Sequence, residues 1–510
     1  MTQSTAASLQ IDGRSMSLGA VEDVARRSRS VGLAEGTRMR IEASSAAVAR
    51  IAATGEPAYG VNTGLGALSA QAIDVQDARK LQHNLLRSHA AGSGALLSAD
   101  VARAIILIRA NSLAVGRSGV RALVIERLIE LLNAGITPAI PSQGSLGASG
   151  DLAPLAHLGL VLTGEGRVLD ISGATDDAKD RLATAGIEPL ALEPKEALAL
   201  VNGTAVMAAL ASLALIDAER LLQTSIIVGA LSAFAIGARR EPFDPRLHDA
   251  RPHQGQRRVA SAMRDLLGLL VEEHRESPRV QDPYSIRCIP PALGAALDAL
   301  QPLRTALEIE INSATDNPLI FSECDEVLSG GNFHGHPLAL PIEYAKVAIA
   351  SAGTITERRI ALLMDGREYG LPPFLVANPG LNSGYMIAHY LTSGLVAENR
   401  ILSHPSAVDS IPTSANIEDF NSMGTTGARH FTDIVRNVER IVAVEALCAA
   451  QACDLRSLEP EGRLGGCYRA VRGLVPRLDS DDRIIADEIE TMTQFVRSGQ
   501  IAELLDEELG

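Results

Sequence analysis

Residues 144–157 read Gly-Ser-Leu-Gly-Ala-Ser-Gly-Asp-Leu-Ala-Pro-Leu-Ala-His, setting a hydroxyl, a carboxylate and an imidazole among glycines. At the centre stand Ala148, Ser149 and Gly150. Glycine leaves φ almost unrestricted, so the backbone can double back there. Asp151 can accept hydrogen bonds from the amides that follow, as a helix cap does. Pro154 falls in the first helical turn, where a missing N–H costs nothing. On residue types alone this is a glycine-rich loop feeding a helix N-terminus, a place able to hold an anion. It lacks the Lys and Ser/Thr of a phosphate-binding P-loop, and no convincing strand precedes it.

Other stretches carry isolated reactive side chains. Tyr59-Gly60-Val61-Asn62-Thr63-Gly64-Leu65-Gly66 reads as a glycine-rich turn around a tyrosine. His83 and His89 stand six residues apart in a helical pattern and so face different sides of it. Leu200-Val201-Asn202-Gly203-Thr204 suits a turn or helix kink, and residues 281–288, Gln-Asp-Pro-Tyr-Ser-Ile-Arg-Cys, a turn with a spare arginine. Residues 329–337 (Ser-Gly-Gly-Asn-Phe-His-Gly-His-Pro) bring His334 and His336 near Cys324, but the spacing fits no zinc template, and no metal is expected. Glu418, in Ser-Ala-Asn-Ile-Glu-Asp-Phe, suits an acidic residue at a helix start.

Taken together, these segments resemble the aromatic amino acid lyases, the family of histidine, phenylalanine and tyrosine ammonia-lyases and the related aminomutases. The resemblance spans roughly residues 10–500, with at least seven motifs in one order. It implies that Ala148-Ser149-Gly150 cyclises without outside help. The Gly nitrogen attacks the Ala carbonyl carbon, two waters leave, and a 4-methylidene-imidazol-5-one results; no external cofactor is expected. It also implies an all-α, fumarase/aspartase-like helical bundle acting as a carbon–nitrogen lyase on a small amino acid. Site roles follow by motif. Tyr59 is the acid/base group on a lid loop, and Asn202 contacts the ring and the substrate amine. Gln281 belongs to the stretch in which Tyr284 lies beside the electrophile and Arg287 pairs with the substrate carboxylate. Phe333 lines the site, Met386 lies in the matching 380–386 stretch, and Glu418 is an active-site carboxylate.

Substrate choice rests on Ser88-His89, a pair that in this resemblance marks the histidine branch, with His89 on the substrate imidazole. Met386 points the same way. Ala205, Ile289, Ile417 and Phe420 depart from that branch, where Gln, Gln, Gln and His are usual, and make the pocket more apolar; Leu65 replaces the family's Phe. The expectation is histidine ammonia-lyase activity giving trans-urocanate. The alternatives are a tyrosine or phenylalanine ammonia-lyase or an aromatic amino acid 2,3-aminomutase.

The elements that must position these residues are helical. Ala and Leu dominate, Trp is absent, and only seven Tyr and eight Phe occur in 510 residues, a composition suited to helices. Two helical patterns fill 17–54 and end at Gly55, one fills 74–91, and two fill 98–134 with Ser98 as cap. Windows 197–216 and 221–238 carry no charge and approach the ~20 apolar residues of a membrane span. Asp217, Glu219 and Arg220 separate them, and no aromatic belt flanks them, so they read as core helices. Residues 339–510 read as largely helical, with an acidic, solvent-facing tail. The expected division is an N-terminal domain, 1–205, bearing the loop, and a long-helix bundle, 206–510. The resemblance implies a homotetramer with active sites shared between subunits.

Net charge is −15, against a nucleic-acid partner. Five scattered cysteines argue for a reducing compartment rather than a disulfide framework. Residues 1–13 lack a basic and an apolar stretch of signal type, so a cytoplasmic enzyme without a membrane partner is expected.

Overall fold

The computed structural model describes residues 7–64, 66–74, 76–170, 173–268 and 280–504, so Leu65 lies outside the described residues. Helices dominate. Leu18–Arg27 (α1) begins where Ser17 accepts from the Ala20 amide, and it carries Arg26 and Arg27 at its negative end. Thr37–Thr54 (α2) stops at Gly55, whose φ of 71° needs a residue without Cβ. Ala78–His89 (α3), Ala99–Ala114 (α4), Ala122–Asn133 (α5), Leu152–Leu162 (α6) and Ala178–Thr184 (α7) follow. The apolar stretch near residue 200 is two helices, Glu196–Val201 (α8) and Ala205–Ala235 (α9).

Two compact units form. The first gathers residues 1–213, 303–343 and 405–429; the second holds 214–302, 344–404 and 430–510. In the first, α4 is buried on every side from Val101 to Ala114 and packs against α1 and α5. Two of its polar residues are bonded within the unit. Arg103 donates to the Val24 and Leu132 carbonyls, and Asn111 bridges the Gly13 amide and the Ile311 carbonyl. Short ribbons edge this unit. Leu9–Ile11 (β1) pairs in parallel with Val31–Leu33 (β2). Ser93–Leu96 (β3) pairs with Pro141–Gln143 (β5), Thr137–Pro138 (β4) joins Arg167–Leu169 (β6) and Thr175–Asp177 (β7), and Leu319–Phe321 (β8) pairs with Glu326–Leu328 (β9).

The second unit is built on long helices, among them Gln254–Leu267, Met386–Leu402, Gly462–Leu474 and Ala486–Arg497. Its core holds a fully buried ion pair, Arg359 Nη2 to Glu445 Oε2 at 2.7 Å, with Ser232 donating to the same carboxylate. Such bonds offset the desolvation of two buried charges, several kcal/mol each.

Three expectations change. Ser98 stands at the start of α4, but its hydroxyl bonds Asp100 rather than capping an amide. A strand, β5, does precede the glycine-rich loop; with three residues and a proline it offers no alternation to read. The tail is not wholly solvent-facing, since Met492, Thr493, Val496, Ile501 and Ala502 are buried. Among the described residues one helix, His336–Asp365, is long and apolar enough to cross a membrane, and 56 % of its most apolar window is buried inside the structure.

Candidate active site

The Ala148-Ser149-Gly150 loop is held from two sides. Behind it, Gly150 pairs with Gly203 in a parallel bridge, and the Asp151 amide donates to the Gly203 carbonyl at 2.7 Å. Gly150 has φ 73°, and a Cβ there would lie 2.2 Å from the Gly203 oxygen. Gly203 is equally constrained, because a Cβ on it would lie 2.3 Å from Arg109 Nη1. Two glycines are thus required where the backbones meet. In front, Ser422 donates to the Gly147 carbonyl at 3.2 Å, and the Met423 amide to the Leu146 carbonyl at 2.9 Å.

Asp151 anchors the arrangement differently from a local cap. It is fully buried and makes no side-chain bond to its own helix, α6. Its Oδ2 accepts from the Val206 and Met207 amides, both at 2.9 Å, and so caps α9. Its Oδ1 accepts from Ser145 Oγ at 2.8 Å and from Thr425 Oγ1. Burial pushes its pKa up, while the four donors pull the other way.

Ser149 is bonded to Glu418, whose charge also acts on Tyr59 and His89. Ser149 Oγ donates to Glu418 Oε1 at 2.9 Å, and Thr413 Oγ1 to Oε2 at 3.0 Å. Tyr59 Oη accepts from the Gly66 amide at 3.3 Å. Burial raises the Tyr59 phenol above its ordinary pKa; the Gly66 bond opposes this, and Glu418 and Asp316 add to it. Burial lowers the His89 imidazole, against the Leu85 carbonyl and Glu418. Asn202 ends α8, is 4 % exposed, and its Oδ1 has no hydrogen-bond partner. A buried acceptor without a donor is costly unless a ligand supplies one. Phe333 is half-buried beside His334, whose ring stacks on Phe420 with centroids 5.7 Å apart and whose Nε2 meets the Phe420 carbonyl.

Gln281, Tyr284, Arg287 and Met386 belong to the second unit. Arg287 lies over the Tyr284 ring at 4.5 Å, and its Nε is buried without a hydrogen-bond partner. Tyr284 is 70 % exposed, and Met386 opens the helix Met386–Leu402.

Sequence reasoning missed the charged floor of the first unit. Lys195 Nζ and Asp316 Oδ2 lie 2.6 Å apart with neither side chain exposed. Arg109, also fully buried, donates to the Ala199 carbonyl and is pushed down to about 10, mainly by desolvation. Burial likewise lowers Lys195. Gly60, next to Tyr59, rests on this floor; a Cβ there would lie 2.4 Å from Leu198 Cδ2 and 3.5 Å from Lys195 Cδ. Nothing local marks Lys195 or Arg109. Among the described residues no group of three His, Cys, Asp or Glu could hold a metal ion.

A hydroxyl on a glycine-backed turn, with a phenol and an imidazole under the influence of the carboxylate it bonds, is the constellation of an enzyme. The chain belongs to the aromatic amino acid lyase family, whose model matches residues 16–473. It is 45 % identical over 497 residues to a histidine ammonia-lyase of Myxococcus xanthus, covering 96 % of this chain and 97 % of that one. It is 44 % identical to a histidine ammonia-lyase of Symbiobacterium thermophilum over 96 % of both chains. Among solved structures, tyrosine aminomutase from Streptomyces globisporus matches with TM-score 0.91 and 39 % identity over 98 % of this chain and 99 % of that one. Histidine ammonia-lyase from Trypanosoma cruzi matches with TM-score 0.91 and 36 % identity over 99 % and 97 %.

Proposed function

We propose that this enzyme is a histidine ammonia-lyase, removing ammonia from L-histidine to give trans-urocanate. The observation that carries the reading is the bond from Ser149 to Glu418 on a loop closed behind by Gly203. The histidine ammonia-lyases at about 45 % identity support it. The residues fit a 4-methylidene-imidazol-5-one built from Ala148, Ser149 and Gly150. The turn already has positive φ at Gly150, and Asn202, next in sequence to the Gly203 that pairs with Gly150, holds an unused buried acceptor. That group supplies the electrophile the reaction needs, and no external cofactor or metal enters the reading.

The chain's own side chains then divide the work. Arg287 supplies a planar fork for a carboxylate. Asn202 Oδ1 takes an N–H, Tyr284 and Phe333 shape the ring environment, and Gln281 and Met386 complete the substrate contacts. Tyr59 removes the β-proton at its phenol oxygen. The phenol's pKa is raised, so the phenolate fraction, and kcat/KM with it, climbs as pH rises toward that value. Tyr59→Phe loses only a 3.3 Å contact to Gly66. Its turnover is expected to fall about 10²- to 10⁴-fold with an unchanged melting curve. Near-normal turnover would assign the proton to another group.

A spectrophotometric assay with L-histidine, L-tyrosine and L-phenylalanine tests the substrate, with urocanate expected. Phe420, 57 % exposed, and the likeness to a tyrosine aminomutase favour one second reading, action on a phenol-bearing amino acid. Coumarate or a β-amino acid as the product would establish it.

The reading includes a cytoplasmic homotetramer with shared sites. Ile387, Tyr390, Leu391 and Ile401 form an exposed apolar stripe on the helix Met386–Leu402, a surface that a monomer seldom leaves bare. Light scattering should give four chains. Tyr390→Lys should yield smaller species with turnover reduced in proportion; an active monomer would remove the shared-site idea.

A further inference from the structure

The last turn of α3 carries a chain of three polar groups. Ser88 Oγ donates to the Leu85 carbonyl at 3.1 Å, and the same oxygen lies 3.0 Å from His89 Nδ1. A hydroxyl has one proton. With that proton on Leu85, Ser88 offers Nδ1 only a lone pair, so Nδ1 must carry the hydrogen. Burial favours the neutral ring. A neutral ring protonated at Nδ1 has a bare lone pair at Nε2.

We propose that Ser88 sets ring selectivity by holding His89 in its Nδ1–H form, which makes Nε2 an obligate acceptor for a substrate ring bearing an N–H or O–H. The inference rests on the active-site reading of His89 given above. Ser88 is a positioning residue; it acts through His89. An imidazole or a phenol meets the requirement, whereas a phenyl ring leaves the acceptor unpaired, the kind of loss that drives strong discrimination between ring types.

The test uses the full-length enzyme labelled with nitrogen-15 at its histidines. His89→Leu identifies the His89 signals by their loss. Wild type should show a protonated Nδ1 and a bare Nε2 at His89. Ser88→Ala, at an exposed position that folding tolerates, should shift the ring toward the Nε2–H form, and Ser88→Thr should restore the wild-type signals. In parallel, Ser88→Ala should narrow the kcat/KM ratio of L-histidine over L-phenylalanine about two- to tenfold, the worth of one hydrogen bond, and Ser88→Thr should recover it. An Nε2–H ring in wild type, or a tautomer and ratio both unmoved in Ser88→Ala, would overturn the proposal. Preference of wild type for L-phenylalanine would overturn it too. Preference for L-tyrosine together with the tautomer shift would remove histidine as substrate yet uphold the role of Ser88, since a phenol also donates.

Discussion

Ser149→Ala is expected to give a folded protein with turnover reduced at least about 10³-fold. The β-proton of an amino acid is barely acidic and the leaving group is an amine. Acid–base groups alone supply about 10²–10⁴-fold, while enzymes reach 10⁶-fold or more. The gap is what an electrophile made from Ser149 would fill, and alanine has no hydroxyl to lose. The structural cost is small. The serine gives one bond to Glu418 in a half-buried position, worth about 0.5–1.5 kcal/mol, and Thr413 keeps its hold on the same carboxylate. Intact mass is the direct check. Wild type should weigh two waters less than its sequence, and the variant should match its own sequence. Active wild-type enzyme at full sequence mass would falsify the ring assignment.

Much of this is legible in the sequence, for reasons that differ by residue. Gly55 ends α2 because a helix exit needs positive φ, a rule that acts within one turn. Helix α4 was legible as a helical pattern starting at Ser98, but not its burial on every side, which takes in Arg103 and Arg109 as well. The candidate site was legible as short motifs, since Tyr59, Ser149 and Glu418 each carry their neighbours with them. What could not be read depends on distance along the chain. Lys195 and Asp316 are ordinarily surface residue types, and only the fold buries them as a pair. The break between α8 and α9 was legible as an Asn-Gly turn or kink, but not that Gly203 has no room for a side chain against Arg109. Residues 405–429 join the first unit from far along the chain, bringing Glu418 to Ser149, and no local pattern announces that return.

Asp151 shows the same conflict between local rule and long-range result, and its replacement should have the largest effect on stability. A local cap would cost about 1 kcal/mol to remove. Here Asp151→Ala strips the acceptor from four donors in a fully buried place. Ser145 and Thr425 can turn toward each other, their oxygens being 3.2 Å apart. The amides of Val206 and Met207 cannot turn, and two buried unsatisfied N–H groups cost roughly 2–6 kcal/mol. That is a large share of the 5–15 kcal/mol that holds a typical protein folded. Asp151→Asn should cost less, about 1–2 kcal/mol, because one amide oxygen can still accept both N–H bonds while its NH₂ faces the two hydroxyls. The order of chemical-denaturation midpoints should therefore be wild type, Asn, then Ala. The Ala variant should also keep both waters in its intact mass, because the turn that brings Gly150 against Gly203 loses its anchor. Equal midpoints for Asn and Ala would mean that the hydroxyl bonds, rather than the two amides of α9, make Asp151 indispensable.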